Sequence, residues 1–230
     1  MSTSRPTLPA TLPGFEHINR YWDPYRQAPA VKVLPGECYV SNQHEYILTT
    51  LGSCIATCIW DPVAGVGGLN HFLLAQPAAS FSPAAQANDS TLRYGLFAME
   101  VLINGILKHG GRRERLLVKI AGGGAVLNGA SDIGASNIAF TRHYLQTEKL
   151  PLQGEHVGGD LPRKVCFHPQ TGQAQVKSLV TTRNDTVAAR ERLYVEILGK
   201  AVASGGVELF RELAAAQEAV SYTHLRAHET

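Results

Sequence analysis

A cysteine and a histidine lie 17 residues apart in an almost uncharged stretch, "TTLGSCIATCIWDPVAGVGGLNHFLL", residues 49–74. A thiol with an ordinary pKa of about 8.5 is mostly protonated at neutral pH, so Cys54 needs an imidazole such as His71 to become a nucleophile. Gly52 lets a ligand approach the backbone closely, and the amides of Ser53 and Cys54 can point at a developing oxyanion. The residue types indicate a candidate thiol enzyme. Spacing alone, however, favours a buried strand cysteine and a satisfied histidine, because free cysteine is commonly a core residue.

Two predicted strands would position this pair. "CIATCIW" has the apolar and β-branched content of a strand, "DPVAGVGG" has that of a turn, and "LNHFLLA" returns as the next strand. A tight hairpin of this kind brings the side chains of Cys54 and His71 across from each other.

The rest of the chain alternates between helical and extended patterns. Apolar residues at spacings of three and four predict a helix that begins at Asp89 or Ser90 and ends at "HGG". Further helices are predicted over "SNIAFTRHYLQTEK" and from a cap at Asp185, among strands at "RLLVKIAGGGAVL", "LPLQGEHVGGD", "RKVCFHP" and "GQAQVKSL". The order β-β-β-α-β-α-β-β-β-α predicts a single-domain, mixed-sheet α/β sandwich.

The other cysteines fit packing better than chemistry. A metal site through Cys54, Cys58 and His71 is a poor candidate, because the two thiols lie about 13 Å apart on an extended strand. Cys38 and Cys166 lie in apolar, strand-like runs. "AGGGAVLNG" lacks the ending of a phosphate-binding loop and is interpreted as a close-packed turn that lines a site.

Composition narrows the class of protein. The chain has 230 residues, 44% of them hydrophobic, and a net charge of +2 from interspersed basic residues. This composition predicts one sizeable core and gives no electrostatic sign of nucleic-acid binding. Neither a secretory signal nor an apolar run of about 20 residues is present, so we expect a cytoplasmic protein without membrane insertion.

The sequence also predicts a domain organisation. Residues 1–30 are expected to form an N-terminal extension that packs back on the domain of residues 31–205, and residues 206–220 a helical tail. The last ten residues, "SYTHLRAHET" (221–230), look like a translated sequencing-adapter read-through, and their histidines are set aside as non-native.

Several collinear runs together resemble one known family. The run "LGSCIATCIWDPVAGVGGLNHFLL" is similar to the signature of the chemoreceptor glutamine deamidases, the CheD family of bacterial chemotaxis. The likeness continues through "RYGLFAMEVLINGILKHGGRRERLLVKIAGGGAVL", "IGASNIAFTRHYLQTEKLPL" and "GGDLPRKVCFHPQTGQAQVKSL", and "GFEHINRYWDPYRQAPAVKVLPGECYV" resembles the N-terminal extension of proteobacterial members. The resemblance spans roughly residues 14–180.

The resemblance implies a Cys-His-Thr arrangement on an α/β sandwich similar to the catalytic domain of deamidating toxins. It assigns Cys54 as the nucleophile and His71 as the base. The third member is a threonine shortly before "LGSC", where Thr49 and Thr50 compete; we favour Thr49. No metal and no organic cofactor is implied.

The implied activity is that of a protein-glutamine glutaminase, an amidohydrolase. It converts glutamines of methyl-accepting chemotaxis receptors to glutamates that can be methylated, with Ser53 and Gly52 as backbone candidates for stabilising the oxyanion. The loops "AGGGAVLNG" and "GEHVGGD" are expected at the rim of the groove that accepts the receptor helix. A CheC-type phosphatase is a further implied partner.

Two other functions remain open from the sequence. The protein could be an adaptor that binds a receptor or a phosphatase with its thiol idle. It could also be a thiol-dependent methylesterase or amidase on the same receptors, which would differ only in the leaving group.

Overall fold

The computed structural model describes residues 6–74, 90–126, 131–180 and 184–204. The predicted tail and the final segment, residues 206–230, lie outside the described residues. The strands are β1 (Arg20–Asp23), β2 (Ala28–Lys32), β3 (Cys38–Ser41), β4 (Tyr46–Leu51), β5 (Ile55–Asp61), β6 (Val66–Phe72), β7 (Leu117–Gly122), β8 (Leu152–Val157), β9 (Arg163–Phe167) and β10 (Ala174–Ser178). The α-helices are α1 (Ser90–Lys108), α2 (Ser131–Thr147) and α3 (Asn184–Ser204), and a short 3-10 helix spans Arg113–Arg115.

The strands form two mixed sheets of five strands each. Their orders are β1-β2-β4-β9-β10 and β3-β6-β5-β7-β8. One apolar cluster joins both sheets to the helices, and its largest fully buried side chains are Tyr39, Phe72, Phe140, Phe167, Ile47 and Leu51. The predicted α/β class is confirmed.

The predicted hairpin around the cysteine and histidine is confirmed as β5 and β6. The two strands are antiparallel and buried along their whole lengths, with Ala56 opposite His71. The turn is shorter than predicted, because Gly67 and Gly68 belong to β6. A Cβ at either glycine would lie 2.4 to 2.5 Å from a backbone carbonyl of a neighbouring segment, so only glycine fits there.

Six strands precede α1 among the described residues, where the sequence predicts three before its first helix. The turn at Gly36, with φ of 85°, is one reason, because it separates β2 in one sheet from β3 in the other. The predicted continuous path from "EYILTT" into "CIATCIW" also divides, since residues 52–54 leave one sheet and enter the next. Strand structure begins at Arg20, inside the range 1–30 predicted as an extension.

The three described helices lie where the periodicity predicts them, and two of them begin earlier in the chain than predicted. Helix α1 begins at Ser90 and is followed by Gly110 with φ of 99°, as the "HGG" ending indicates. Helix α2 begins five residues before the predicted "SNIAF", and α3 begins one residue before Asp185. None of the helices within the described ranges is long and apolar enough to cross a lipid bilayer.

Candidate active site

Residues 52–54 form a short loop that connects β4 of one sheet to β5 of the other. The three carbonyls of this loop accept hydrogen bonds, in chain order, from Gly124 N at 2.7 Å, Asn137 Nδ2 at 2.8 Å and Gly123 N at 2.7 Å. All three carbonyls are therefore engaged on one side. The three amides are left to face a single point on the other side.

That point is occupied by the carboxylate of Glu191, from α3. Its Oε1 accepts from Gly52 N at 2.8 Å and Cys54 N at 3.1 Å, and its Oε2 accepts from Ser53 N and Ser53 Oγ, both at 2.7 Å. We call these three amides and the Ser53 hydroxyl the anion site. A Cβ at position 52 would lie 2.6 Å from Oε2, so a glycine is needed for the carboxylate to come this close.

The imidazole of His71 is held by a threonine. Thr49 Oγ1 lies 2.7 Å from His71 Nδ1 and 2.8 Å from the carbonyl oxygen of Val33. Because the hydroxyl donates its only proton to Val33, it accepts from Nδ1–H. This assigns the lone pair to Nε2, which is buried and has no hydrogen-bond partner among the residues that the structure describes.

Strand pairing brings His71 close to the start of β5. His71 pairs with Ala56, and Cys54 lies two residues before Ala56, in the loop that leads into β5. Glu191 accepts from Cys54 N and lines one small pocket together with His71. The backbone of His71 is held by the segment that leads into β3, since its carbonyl accepts from Gly36 N at 2.7 Å and its amide donates to Glu37 O at 2.9 Å. The side chains of Cys54 and His71 are both almost completely buried.

The buried carboxylate changes the electrostatics of this pair. Burial raises the pKa of the Cys54 thiol well above its ordinary value, and the charge of Glu191 and its hydrogen bond to the thiol raise it further. Burial lowers the pKa of His71 below its ordinary value of 6.5, although the charge of Glu191 acts in the opposite direction. Thiol and imidazole are therefore both neutral at neutral pH while Glu191 is in place.

The remaining cysteines have the environment of packing residues. Burial raises the pKa of Cys38 and of Cys58 to about 12, and it also raises the pKa of Cys166. Within the described ranges, no three His, Cys, Asp or Glu side chains are arranged to hold a metal ion.

The glycine-rich run supports the loop, as the sequence predicts for a close-packed turn. A Cβ at Gly122, where φ is 118°, would lie 2.2 Å from the carbonyl oxygen of Cys54. The second predicted loop packs behind this turn, because Gly158 N donates to Gly122 O at 3.0 Å and Ala125 N donates to Gly159 O at 2.8 Å. Part of "AGGGAVLNG", residues 127–129, lies outside the described residues. The role of both loops as a groove rim stays a prediction.

Asn137 is a site residue that the sequence analysis missed. Its side chain is fully buried, and it bridges Leu74 N and Ser53 O, both at 2.8 Å. The signal was a single asparagine on the apolar stripe of α2, at helical spacing from Ile133 and Phe140. A buried amide at such a position satisfies specific backbone groups.

Glu191 is a second site residue that the sequence analysis missed, and the clue was again a polar residue on the buried face of a helix. It lies on the buried stripe of α3 with Val187, Tyr194 and Leu198. A lone glutamate at that position needs several donors, because an uncompensated buried carboxylate is costly. Nothing in the sequence indicates that the donors belong to residues 52–54.

Comparison with known proteins identifies relatives that cover most of the chain. The profile of the family described as CheD chemotactic sensory transduction matches residues 77–178. A probable chemoreceptor glutamine deamidase CheD of Halorhodospira halophila is 49% identical over 207 residues, 89% of this chain and 95% of that protein. Proteins of the same name from Hahella chejuensis and Methylobacillus flagellatus are 43% and 46% identical, over 88% and 84% of this chain and 95% of each relative. The chain therefore belongs to the CheD family.

Proposed function

We propose that this protein is a chemoreceptor glutamine deamidase, which hydrolyses the side-chain amide of receptor glutamines to a carboxylate. The observation that carries the proposal is the convergence of three loop amides on a carboxylate beside Cys54. This is where the carboxyl group of a product glutamate would bind. Relatives at 43–49% identity are named for the same activity.

The first half of the reaction forms a thioester. His71 Nε2 takes the proton of Cys54, and Sγ attacks the carboxamide carbon of the glutamine. The carbonyl oxygen becomes an oxyanion in the anion site, where each donor contributes about 2.7 to 4 kcal/mol to the transition state. The carbon–nitrogen bond then breaks, and the leaving nitrogen takes the proton from His71 and departs as ammonia.

The second half releases the product. His71 accepts a proton from water, which attacks the thioester carbon and expels the Cys54 thiolate; the thiolate recovers that proton. The sum is one carboxamide and one water converted to one carboxylate and one ammonium ion. Thr49 keeps the proton of the resting imidazole on Nδ1, so that Nε2 faces the reaction as the base.

Two finer statements belong to the same proposal. The protein works in the cytoplasm, where the methylated helices of chemoreceptors lie, and it binds a CheC-type phosphatase as the family resemblance implies. Co-purification of the tagged chain with such a phosphatase from its own host would support the second statement.

The test is a mass measurement on purified receptor cytoplasmic fragments. The unmodified protein is expected to produce the one-dalton gain of a glutamine-to-glutamate conversion in specific receptor peptides, and Cys54→Ala is expected to produce none. Cys58→Ala is the matched control, because that thiol is also buried and takes no part in the chemistry. No gain on any cognate receptor would favour the adaptor, and loss of receptor methyl esters instead would favour the methylesterase.

A further inference from the structure

The anion site is filled by the chain's own carboxylate. Glu191 takes all three loop amides and the Ser53 hydroxyl, so no donor is left for another carbonyl oxygen. Cys54 is 0% exposed and His71 is 2% exposed. A glutamine of another protein cannot reach the thiol in this arrangement.

The segment that closes the site is a helix with one buried face. Over residues 186–198 of α3, the buried side chains are Val187, Ala188, Glu191, Tyr194 and Leu198. Their spacing of one, four, seven and eleven residues from the first defines one side of a helix. The proposed substrate is also a helix with one reactive side chain, and the product of the reaction is a glutamate. Glu191 on α3 thus has the chemistry and the setting of a bound product.

The contacts of α3 favour a reversible association. Among the described side chains of α3, the buried face apart from Glu191 consists of apolar side chains and of Tyr194, whose hydroxyl contacts that of Tyr94 on α1. The donors that hold Glu191 are those that would stabilise the oxyanion, so substrate and α3 compete for one set of groups. Displacement of α3 exchanges one occupant for another and leaves no amide unpaired.

We propose that α3 is an autoinhibitory helix that occupies the groove of the receptor helix, with Glu191 in the position of the product carboxylate. The enzyme becomes active when the receptor helix displaces α3. The inference rests on the proposed deamidase function for the identity of the competing helix. The closed state itself is independent of that function.

The experiment combines two substitutions that release α3 with one matched control. Glu191→Ala removes the carboxylate, and Leu198→Asp disrupts the apolar face of the same helix away from the anion site. Glu196→Ala removes an exposed carboxylate from α3 and is the control. Circular dichroism and urea denaturation verify that each variant is folded. The readouts are the rate of Cys54 alkylation by iodoacetamide, followed by peptide mass spectrometry, and the initial rate of receptor deamidation.

We expect Glu191→Ala and Leu198→Asp to raise both rates about tenfold or more, because the first removes the four hydrogen bonds of the carboxylate and the second a buried apolar contact, and even one such interaction shifts an equilibrium by about that factor. Glu196→Ala should match the unmodified protein. Unchanged alkylation in both folded release variants would overturn the inference, as would faster alkylation with slower deamidation. Faster alkylation without deamidation by any variant would support the closed state and refute the deamidase function.

Discussion

At the scale of single residues, one hydroxyl decides which nitrogen of His71 carries the free lone pair. The Thr49 hydroxyl donates its only proton to Val33 O, so toward His71 it can only accept a hydrogen bond, from Nδ1–H. The neighbouring Thr50 has the same side chain, but Thr49 is the one that contacts the imidazole. In the proposed mechanism Thr49 is a positioning residue, since it contacts His71 and not the substrate.

Replacement of this hydroxyl should reduce turnover. Thr49→Val removes the acceptor while it keeps the shape of the side chain, so we expect kcat to fall about a hundredfold, the lower end of a general-base contribution. Thr49→Ser should restore most of the rate, and Thr50→Val should retain it. Steady-state deamidation kinetics of the three variants make the comparison. Equal losses for Thr49→Val and Thr50→Val would contradict the assignment.

The burial of His71 also predicts the acid limb of the pH profile. Because burial lowers the pKa of His71 below 6.5, the imidazole stays neutral, and active as a base, at pH values where an exposed histidine is protonated. We expect kcat/KM to change little between pH 7 and pH 6.5 and to fall only at lower pH. A limb with its midpoint above 6.5 would show that His71 is exposed when the enzyme works.

At the scale of elements, α2 holds the loop that carries the thiol. Its Asn137 side chain forms hydrogen bonds with Ser53 O and Leu74 N. Leu74 lies two residues after the end of β6, the strand that carries His71. Phe140 of the same helix packs edge-on against Phe72, with ring centroids 5.9 Å apart. The direction of the loop amides therefore depends on the docking of a helix that contributes no side chain to the proposed chemistry.

Substitution of Asn137 should affect both stability and rate. Asn137→Ala leaves two buried backbone groups unpaired, so we expect the free energy of unfolding to fall by about 2 to 4 kcal/mol. Asn137→Asp retains the acceptor for Leu74 N but sets a carboxylate oxygen against Ser53 O, and it should lower kcat at least tenfold with little change in KM. Urea denaturation and steady-state kinetics measure the effects. Gln146→Ala, at an exposed position of α2, is the control, and a similar loss there would contradict the account.

The sequence predicted the elements better than their connections. The helix periods and the β5–β6 hairpin were visible because burial repeats at fixed spacings within one element. The division of strands between two sheets was not visible, because it depends on Gly36 and on the departure of residues 52–54 from the ladder. The occupant of the anion site was also not predictable, since Gly52 and Glu191 are separated by 139 residues and no local pattern connects them.

At the scale of the whole molecule, the N-terminal segment is part of the first sheet. Strand β1 pairs with β2, and β2 lies parallel to β4, the strand that carries Thr49. The Arg20 guanidinium lies 3.0 Å from the buried carboxylate of Glu45, and Phe15 packs against Tyr39 with ring centroids 5.5 Å apart. The aromatic start of the chain thus contacts both sheets.

Deletion of residues 1–30 should therefore destabilise the protein. It leaves Glu45 buried without its cation, which costs about 3 to 5 kcal/mol, and at about 2 to 4 °C per kcal/mol the Tm should fall by about 10 °C or more. Thermal melting followed by circular dichroism measures the change. Deletion of residues 2–8 is the control and should have little effect. An unchanged Tm after removal of residues 1–30 would refute the prediction.

In the autoinhibited state proposed above, the carboxyl group of Glu191 lies where the carboxamide of a substrate reacts with Cys54. The substitution Glu191→Gln tests this placement without a receptor, because the side-chain amide introduced at position 191 would itself be the substrate in the anion site. We predict that the peptide containing position 191 gains one dalton during incubation, as the amide becomes a carboxylate, and that the same substitution in a Cys54→Ala background gains nothing. An amide that persists at position 191 in protein that still deamidates receptors would contradict the claim.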